Sequence, residues 1–304
     1  NYDIYFLADD WKIYAPANCS QLFIGMSALT EVDTSNLDVS QTTSMYRMFF
    51  KCGSLTTLEV GNWFAKGTDE KVVLQQAFYD CKALKNLDVS NWIIKTNESL
   101  KETFKNCSSL SGKLDLTGWD VSGITSMQYT FSGCTGLTEI DVSNWNVGNV
   151  SDFSYMFENC YSLNKLDVAN WDVSSATNFH GLFSRCSSLK RIELSEWNVE
   201  KLSSALGMFV GCGSLTSLDL SGWNTANLVK TEQMFSKCGN LKTIYVGKDI
   251  WNMESVTDSA NMFEQCEALV GGKSTKFSSS NPTDKTYAHI DGEDGKPGYL
   301  TEKK

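Results

Sequence analysis

The sequence predicts an α/β repeat solenoid, a single right-handed stack of about nine to ten coils with parallel strands on one face. Three residue types predict it by sharing one period. Cysteines stand at 52, 81, 107, 134, 160, 186, 212, 238 and 266, and from Cys81 onward every gap is 26 to 28 residues. Tryptophans keep the same beat at 63, 92, 119, 145, 171, 197, 223 and 251. A phenylalanine precedes each of those cysteines by three residues, from Phe49 to Phe263. Self-similarity at this period marks stacked supersecondary units that share one core, so 304 residues make one domain rather than two.

Each unit opens on a strand. Leu215-Thr-Ser-Leu218-Asp-Leu220-Ser-Gly-Trp223 fits the Leu-x-x-Leu-x-Leu frame of leucine-rich repeats, with Trp where Asn or Cys often stands. The frame recurs at 84–92, 137–145, 163–171 and 189–197. Apolar residues two apart share one face of a strand, and the residue between them faces the other way. After the tryptophan the apolar beats are Val121, Ile124, Met127 and Phe131, spaced three and four, which predicts a turn followed by a short helical return.

The ends depart from the pattern. Residues 1–21 are a lead-in and cap, 22–270 the solenoid, and 271–304 a capping segment with a frayed tail. In the first coil Met26 takes the cysteine position and Leu37 the tryptophan position, which leaves Cys19 outside the ladder as the one thiol expected to behave differently. Trp63 and Phe78 are 15 residues apart where 12 is usual, so three extra residues near 66–71 form a polar bulge on the return side. At the other end, Tyr287, Ile290, Tyr299 and Leu300 are available to cover the last coil.

Composition removes several function classes. A net charge of −10 disfavours nucleic acid and anionic membrane as partners. No run of 18 apolar residues occurs. Two histidines, His180 and His289, leave little room for His-based metal sites or Ser-His-Asp chemistry. Repetition argues against an enzyme as well, because acid-base catalysis needs two carboxyls in unlike environments, whereas a repeated row makes them alike.

Units such as 126–147 (SMQYTFSGCTGLTEIDVSNWNV) and 155–173 (YMFENCYSLNKLDVANWDV) resemble the BspA-like leucine-rich-repeat surface proteins of host-associated bacteria, and 286–301 (TYAHIDGEDGKPGYLT) is similar to the end common in such chains. The resemblance covers roughly residues 22–301. It implies a secreted or cell-surface protein with lipoprotein-type anchoring in its precursor, and adhesion to host extracellular-matrix or cell-surface proteins. The chain opens Asn1-Tyr-Asp without Met, which reads as a mature form whose targeting segment was removed.

The cysteines read as a buried ladder of free thiols. Equivalent positions on stacked coils lie about 4.8 Å apart with parallel Cα–Cβ vectors, whereas a disulfide needs Cβ atoms about 3.8 Å apart and turned toward each other. On the opposite sheet face runs a row of acids: Asp33, Glu59, Asp88, Asp115, Asp141, Asp167, Glu193 and Asp219, then Tyr245. Beside it lies a mixed row containing Lys113, Glu139, Lys165 and Arg191, and a mostly hydroxyl row. Two readings stay open. Lys113, Lys165, Arg191 and the hydroxyls neutralise the acids as a structural ladder, or the row is a binding strip for calcium or a basic partner. The residues singled out for partner binding on a concave face are Asp115, Asp141, Asp167, Glu193, Asp219, Lys165, Arg191 and Tyr245. No cofactor is expected, calcium on the acid row being the one ion considered, and the chain is expected to be a monomer. The functional expectation is a non-enzymatic binding or adhesion module for protein ligands, with a structural spacer or a cation- or carbohydrate-binding surface protein as alternatives. His180 reads as a solvated surface residue and the ladder tryptophans as core. Trp11 is the aromatic outside the ladder, and Asn18, Asn97, Asn106 and Asn149 fit Asn-x-Ser/Thr.

Overall fold

The computed structural model describes residues 13–34, 36–68, 70–96 and 99–304; Trp11 and Asn97 lie outside them. The short strands are β1 (Ile13–Tyr14), β2 (Glu31–Val32), β3 (Leu37–Asp38), β4 (Thr57–Leu58), β5 (Lys71–Val72), β6 (Ile94–Thr96), β7 (Gly112–Asp115), β8 (Trp119–Asp120), β9 (Leu137–Asp141), β10 (Lys165–Leu166), β11 (Ser217–Leu220), β12 (Thr243–Val246) and β13 (Thr301–Glu302). Every pairing between them is parallel and joins one coil to its neighbour.

A coil has three sides. The Leu-x-x-Leu-x-Leu strand forms the first, where β7, β9 and β10 pair with Lys113 opposite Glu139 and Glu139 opposite Lys165. The segment after the tryptophan forms the second, where β5, β6 and β8 align. The return forms the third, as a line of parallel bridges from Ser99 through Ser126, Asp152, Asn178, Ser204 and Lys230 to Asp258. Corners are closed by short polar side chains that accept the amide two residues on: Asp88 from Ser90, Asp120 from Ser122, and Asp152 from Ser154. Asp and Asn do this because their side chains mimic a backbone turn.

The α component of the expected class is not found among the described residues, which contain only two 3-10 turns, Lys285–Tyr287 and Glu293–Gly295. The return is instead a chain of turns. Alternate amides donate to the next coil, as Phe153 does to Asn178, Tyr155 to His180 and Phe157 to Leu182. The intervening amides close turns, as Met156 does on Phe153 and Cys160 on Phe157. An α-helix sends every amide to its own i−4 carbonyl and would leave none for the neighbouring coil. The backbone alternates by entering the left-handed region twice per coil, two residues before and two after the ladder phenylalanine. Around Phe157 these positions are Tyr155 (φ 58°) and Asn159 (φ 58°); around Phe209 they are Gly207 (φ 57°) and Gly211 (φ 70°). Two such turns advance the chain as far as a three-and-four spacing does, and this is why the pattern imitates a helix.

The core runs unbroken from Ala15 to Leu300. Phenylalanines stack nearly parallel from Phe23 to Phe263, with centroids 5.0 Å apart for Phe23–Phe49 and 5.5 Å for Phe104–Phe131. Phe23 opens this stack, so the first coil carries the phenylalanine although it lacks both cysteine and tryptophan. Indoles stack beside it, at 6.0 Å for Trp63–Trp92 and 6.5 Å for Trp197–Trp223. These spacings suit aromatic pairs, which prefer 4.5–7 Å.

The tail is ordered rather than frayed. β13 pairs with β12, placing Thr301 opposite Tyr245. Tyr299 is fully buried with its ring edge-on to Phe263 at 5.4 Å, and Tyr287 stacks on Tyr299 at 4.6 Å. Asp291 pins this segment. Its buried carboxylate accepts from the Lys273, Thr275 and Gly298 amides and from the Thr275 hydroxyl.

Candidate functional site

All ten cysteines are free and buried. From Cys52 to Cys266 each ladder thiol donates to the carbonyl of the phenylalanine in the preceding coil, as Cys52 does to Phe23 at 3.0 Å and Cys160 to Phe131 at 3.2 Å. Burial pushes these thiols up, Cys52 to about 11 and Cys212 to about 12, because a thiolate would be desolvated, and a backbone hydrogen bond only partly opposes this. Cys19 is a correction. It is buried too, with Sγ donating to Pro16 O at 3.2 Å and lying 3.8 Å from the Thr42 hydroxyl, and burial raises it as well. It occupies the core position that Met45 takes in the next coil, a match hidden in the sequence because the residue type at that position changes.

On the strand side the predicted acids line up as Asp115 beside Asp141. Their repulsion is offset locally. Lys113 sits between carboxylates, 2.8 Å from Asp141, 3.2 Å from Asp115 and 3.9 Å from Glu139. Asp141 is held below the ordinary carboxylate range by the Lys113 ammonium and the Ser143 hydroxyl and amide. For Asp115, burial pulls upward, yet the Thr117 hydroxyl and amide together with Lys113 leave its value lowered. Lys165 pairs with Glu139 at 2.8 Å, and Arg191 with Glu193 at 2.7 Å. Asp167 accepts the Ala169 amide. Asp219 pairs with Lys303 at 2.8 Å, and that ammonium also lies 4.6 Å from the Tyr245 ring centroid.

The eight predicted residues therefore fall into groups. Asp115, Asp141 and Lys165 are linked through Lys113 and Glu139; Asp219 and Tyr245 are linked through Lys303. Arg191 and Glu193 form their own pair, and Asp167 holds a turn. Lys113 and Glu139 were visible in the row beside the acids. Lys303 was not, since nothing in the repeat pairs the tail with β12. Among the described residues no group of three or more His, Cys, Asp or Glu side chains is placed to hold a metal ion. The outermost groups are Lys165 and Arg191, with side chains 71% and 83% exposed.

A second line of contacts crosses the return side. The Arg47 Nε donates to Gln76 at 2.5 Å, and the Gln76 amide to Glu102 at 2.5 Å. Glu102 pairs with Lys105, whose ammonium lies 3.8 Å from the Tyr129 centroid. Tyr129 stacks on Tyr155 at 4.7 Å, and the Tyr155 hydroxyl meets His180 Nε2 at 2.7 Å. His180 is thus half-buried and engaged rather than solvated. Burial lowers its pKa, the Lys230 charge adds to this, and Asp152 opposes it. A ring fits over the neighbouring coil only because Gly181 stands there; a Cβ on it would lie 2.6 Å from Tyr155 Cδ1.

Comparison with known families returns one description, "Mycoplasma protein of unknown function, DUF285", matched over residues 3–114, 72–191, 98–218 and 164–277. The chain belongs to this family. The family model matches the chain four times in overlapping stretches, as an internal repeat would, and the BspA-like leucine-rich-repeat resemblance is borne out. No curated protein sequence matches the chain. Among solved structures it is similar to a leucine-rich cell surface protein from Faecalibacterium prausnitzii, with 18% identity, 82% of this chain and 74% of that one covered, and a TM-score of 0.37. It is also similar to a leucine-rich repeat protein from Bacteroides ovatus, with 19% identity, coverage of 83% and 68%, and a TM-score of 0.40. A TLR13–ssRNA13 complex matches at 18% identity over 85% of this chain and 44% of that one, with a TM-score of 0.29. No helix among the described residues is long and apolar enough to cross a membrane.

Proposed function

We propose that this DUF285 chain is a non-enzymatic module, displayed at a cell surface or secreted, that binds host matrix or cell-surface proteins through its strand side. One observation carries the reading. On coils six and seven Lys165, Asp167, Arg191 and Glu193 are exposed, while Ile192 and Leu194, which alternate with Arg191 and Glu193, and Val168, which follows Asp167, are buried in the core. These side chains contribute nothing to the core, which leaves them free to serve as a recognition surface on a repeat scaffold. The description of one neighbour as a cell surface protein agrees with this location.

A structural spacer is the second reading. It is favoured by coils four and five, where Lys113 and the turn hydroxyls neutralise the acids within the chain.

The experiment inverts the exposed charges together (Lys165→Glu, Asp167→Lys, Arg191→Glu, Glu193→Lys) and measures affinity for extracellular-matrix and cell-surface proteins retrieved by the wild type. Surface substitutions of this kind leave stability within about 0.5 kcal/mol, so the melting curve should hold. Affinity should fall at least about tenfold, and wild-type binding should weaken as salt shortens the Debye length to about 3 Å at 1 M. Unchanged affinity with intact folding would reject the strand side as the site. The same proteins test calcium on the acid row: binding would raise the wild-type melting temperature at millimolar calcium.

A further inference from the structure

The return side of coils two to four carries a charge opposite to that of the chain. Its segments 44–53, 73–82 and 99–108 hold five cations, Arg47, Lys51, Lys82, Lys101 and Lys105. Against them stand two carboxylates, Asp80 and Glu102. The corresponding segments of coils five to ten, 126–135, 152–161, 178–187, 204–213, 230–239 and 258–267, hold three cations and six acids, in keeping with a net charge of −10. Two of the five cations are matched, Lys82 by Asp80 at 3.3 Å and Lys105 by Glu102 at 2.9 Å. Among the described residues Arg47, Lys51 and Lys101 enter no ion pair, and the Arg47 Nε donates to the neutral Gln76.

A second observation says what chemistry fits there. Half-buried aromatic rings share the patch with the cations. Phe50 stacks on Tyr79 at 4.7 Å, and Arg47 and Lys51 lie 5.0 and 5.3 Å from the Phe50 centroid. Lys105 bridges the next two rings, 5.8 Å from Tyr79 and 3.8 Å from Tyr129, and Tyr129 stacks in turn on Tyr155. Along the stack each ring is thus followed by a ring or a cation, so the faces are taken and the edges are left toward solvent. A flat sugar or a quaternary ammonium group would need a free face. Ring edges carry the positive end of the aromatic quadrupole, and here they stand beside three unmatched cations. Both features favour carboxylates. Ile24, which holds the Phe50 position one coil earlier, is 39% exposed and extends the patch with apolar surface.

We propose that the return side of coils one to five docks an extended segment of a partner protein rich in Asp, Glu and apolar residues. Its carboxylates meet Arg47, Lys51 and Lys101, and its apolar side chains lie against Ile24 and the edges of Phe50 and Tyr79. Asp80 and Glu102 stand among the cations, so a polyanion charged at every unit meets a repulsion that spaced carboxylates avoid. Four coil steps of about 4.8 Å make a strip about 19 Å long, which about six extended residues span. Tyrosine and arginine are also the residue types that dominate binding energy at protein interfaces. The patch lies on a different side of the coil from Lys165 and Arg191 and does not rest on the strand-side reading, so either stands if the other fails.

The test is fluorescence anisotropy with the full chain and a rhodamine-labelled peptide, Asp-Asp-Phe-Phe-Glu-Glu-Leu-Leu. Pairing the residues puts acid and apolar side chains on both faces of an extended chain. Binding should saturate, and should be at least about tenfold tighter than for the neutral peptide Asn-Asn-Phe-Phe-Gln-Gln-Leu-Leu, since the unmatched cations supply the attraction. Lys51→Glu with Lys101→Glu should weaken it at least about tenfold, while the strand-side charge inversion leaves it within about twofold. If the double Glu variant does not fold, Lys51→Gln with Lys101→Gln should weaken binding severalfold. Absence of saturable binding, equal affinity for the neutral peptide, undiminished binding by the folded double variant, or tighter binding of a heparin tetrasaccharide would each overturn the proposal.

Discussion

Trp171→Ala removes one indole from the middle of the stack and measures what a ladder position is worth. The side chain is 3% exposed, packs against Phe153 at 5.8 Å and Phe157 at 6.4 Å, and stacks on Trp197 at 6.4 Å and 6°. Truncating a buried aromatic costs about 3–5 kcal/mol. Three ring neighbours, each contributing about 0.5–1.5 kcal/mol beyond area burial, place this site in the upper half, at about 4–5 kcal/mol. The lost N–H bond adds little, because the Val142 carbonyl that accepted it keeps the Trp145 amide. Coils contact only their neighbours, so the damage should be local. Guanidinium melts followed by far-UV circular dichroism give the total loss, and native-state hydrogen exchange locates it. Protection should fall first in coils five to seven and persist in coils one and two. Combined with Trp92→Ala the effects should add within about 0.5 kcal/mol, whereas Trp197→Ala should couple. A loss under about 1 kcal/mol, or protection falling equally along the chain, would refute the reasoning.

Three further predictions follow from particular contacts. Arg185 (φ 59°) sits where Gly211 (φ 70°) stands one coil later; left-handed backbone costs a side-chain-bearing residue about 1–2 kcal/mol and glycine returns part of that as unfolded-state entropy. Arg185→Gly should therefore stabilise by about 0.5–1 kcal/mol in a thermal melt, and an equal destabilisation would remove the strain argument. Native-state alkylation monitored by mass spectrometry should leave all ten thiols unmodified, Cys19 included, and denaturation should release all ten; disulfides between neighbouring coils would contradict the thiol-to-carbonyl ladder. Asp291 has a lowered pKa because, although burial raises it, hydrogen bonds from Thr275, Gly298 and Lys273 outweigh that. A depressed folded value means its stabilisation is present above the ordinary carboxylate range near 3.9 and is lost as pH falls through the folded value. Asp291→Asn should cost about 2–3 kcal/mol at pH 7 by turning a donor toward donors, and the gap to wild type should narrow in melts as pH falls below the ordinary carboxylate range.

Much of this architecture was legible because it repeats. The Phe, Cys and Trp positions and the Leu-x-x-Leu-x-Leu frame each recur, and recurrence at one period implies stacking whatever the local conformation. The return was misread for a physical reason. Apolar spacing of three and four reports only which residues face inward, and a helix and a chain of turns share that spacing while sending their amides to different partners. The distinguishing signal was the residue just before five of the nine ladder cysteines, Asp80, Asn106, Gly133, Asn159 and Gly211, types suited to left-handed backbone, whereas Lys51, Arg185, Lys237 and Gln265 gave no such sign. Of the strand-side residues, the acids and Lys165 were visible as rows. Their actual partners depended on side-chain reach: Lys113 bridges two coils, and Lys303 arrives from a tail that lies outside the repeat.

The central claim is that 26-residue coils are interchangeable units of one continuous core, and deleting a whole unit tests it most directly. Removing residues 163–188 joins Ser162 to Leu189 and preserves every ladder. Removing 163–175, half as many, sets each later phenylalanine, cysteine and tryptophan on the wrong side of its coil. The account predicts that the first variant folds cooperatively, with a small-angle scattering length shortened by about 4.8 Å, one strand spacing, and that the second loses its cooperative melt. Equal behaviour of the two deletions, both folded or both unfolded, would contradict it.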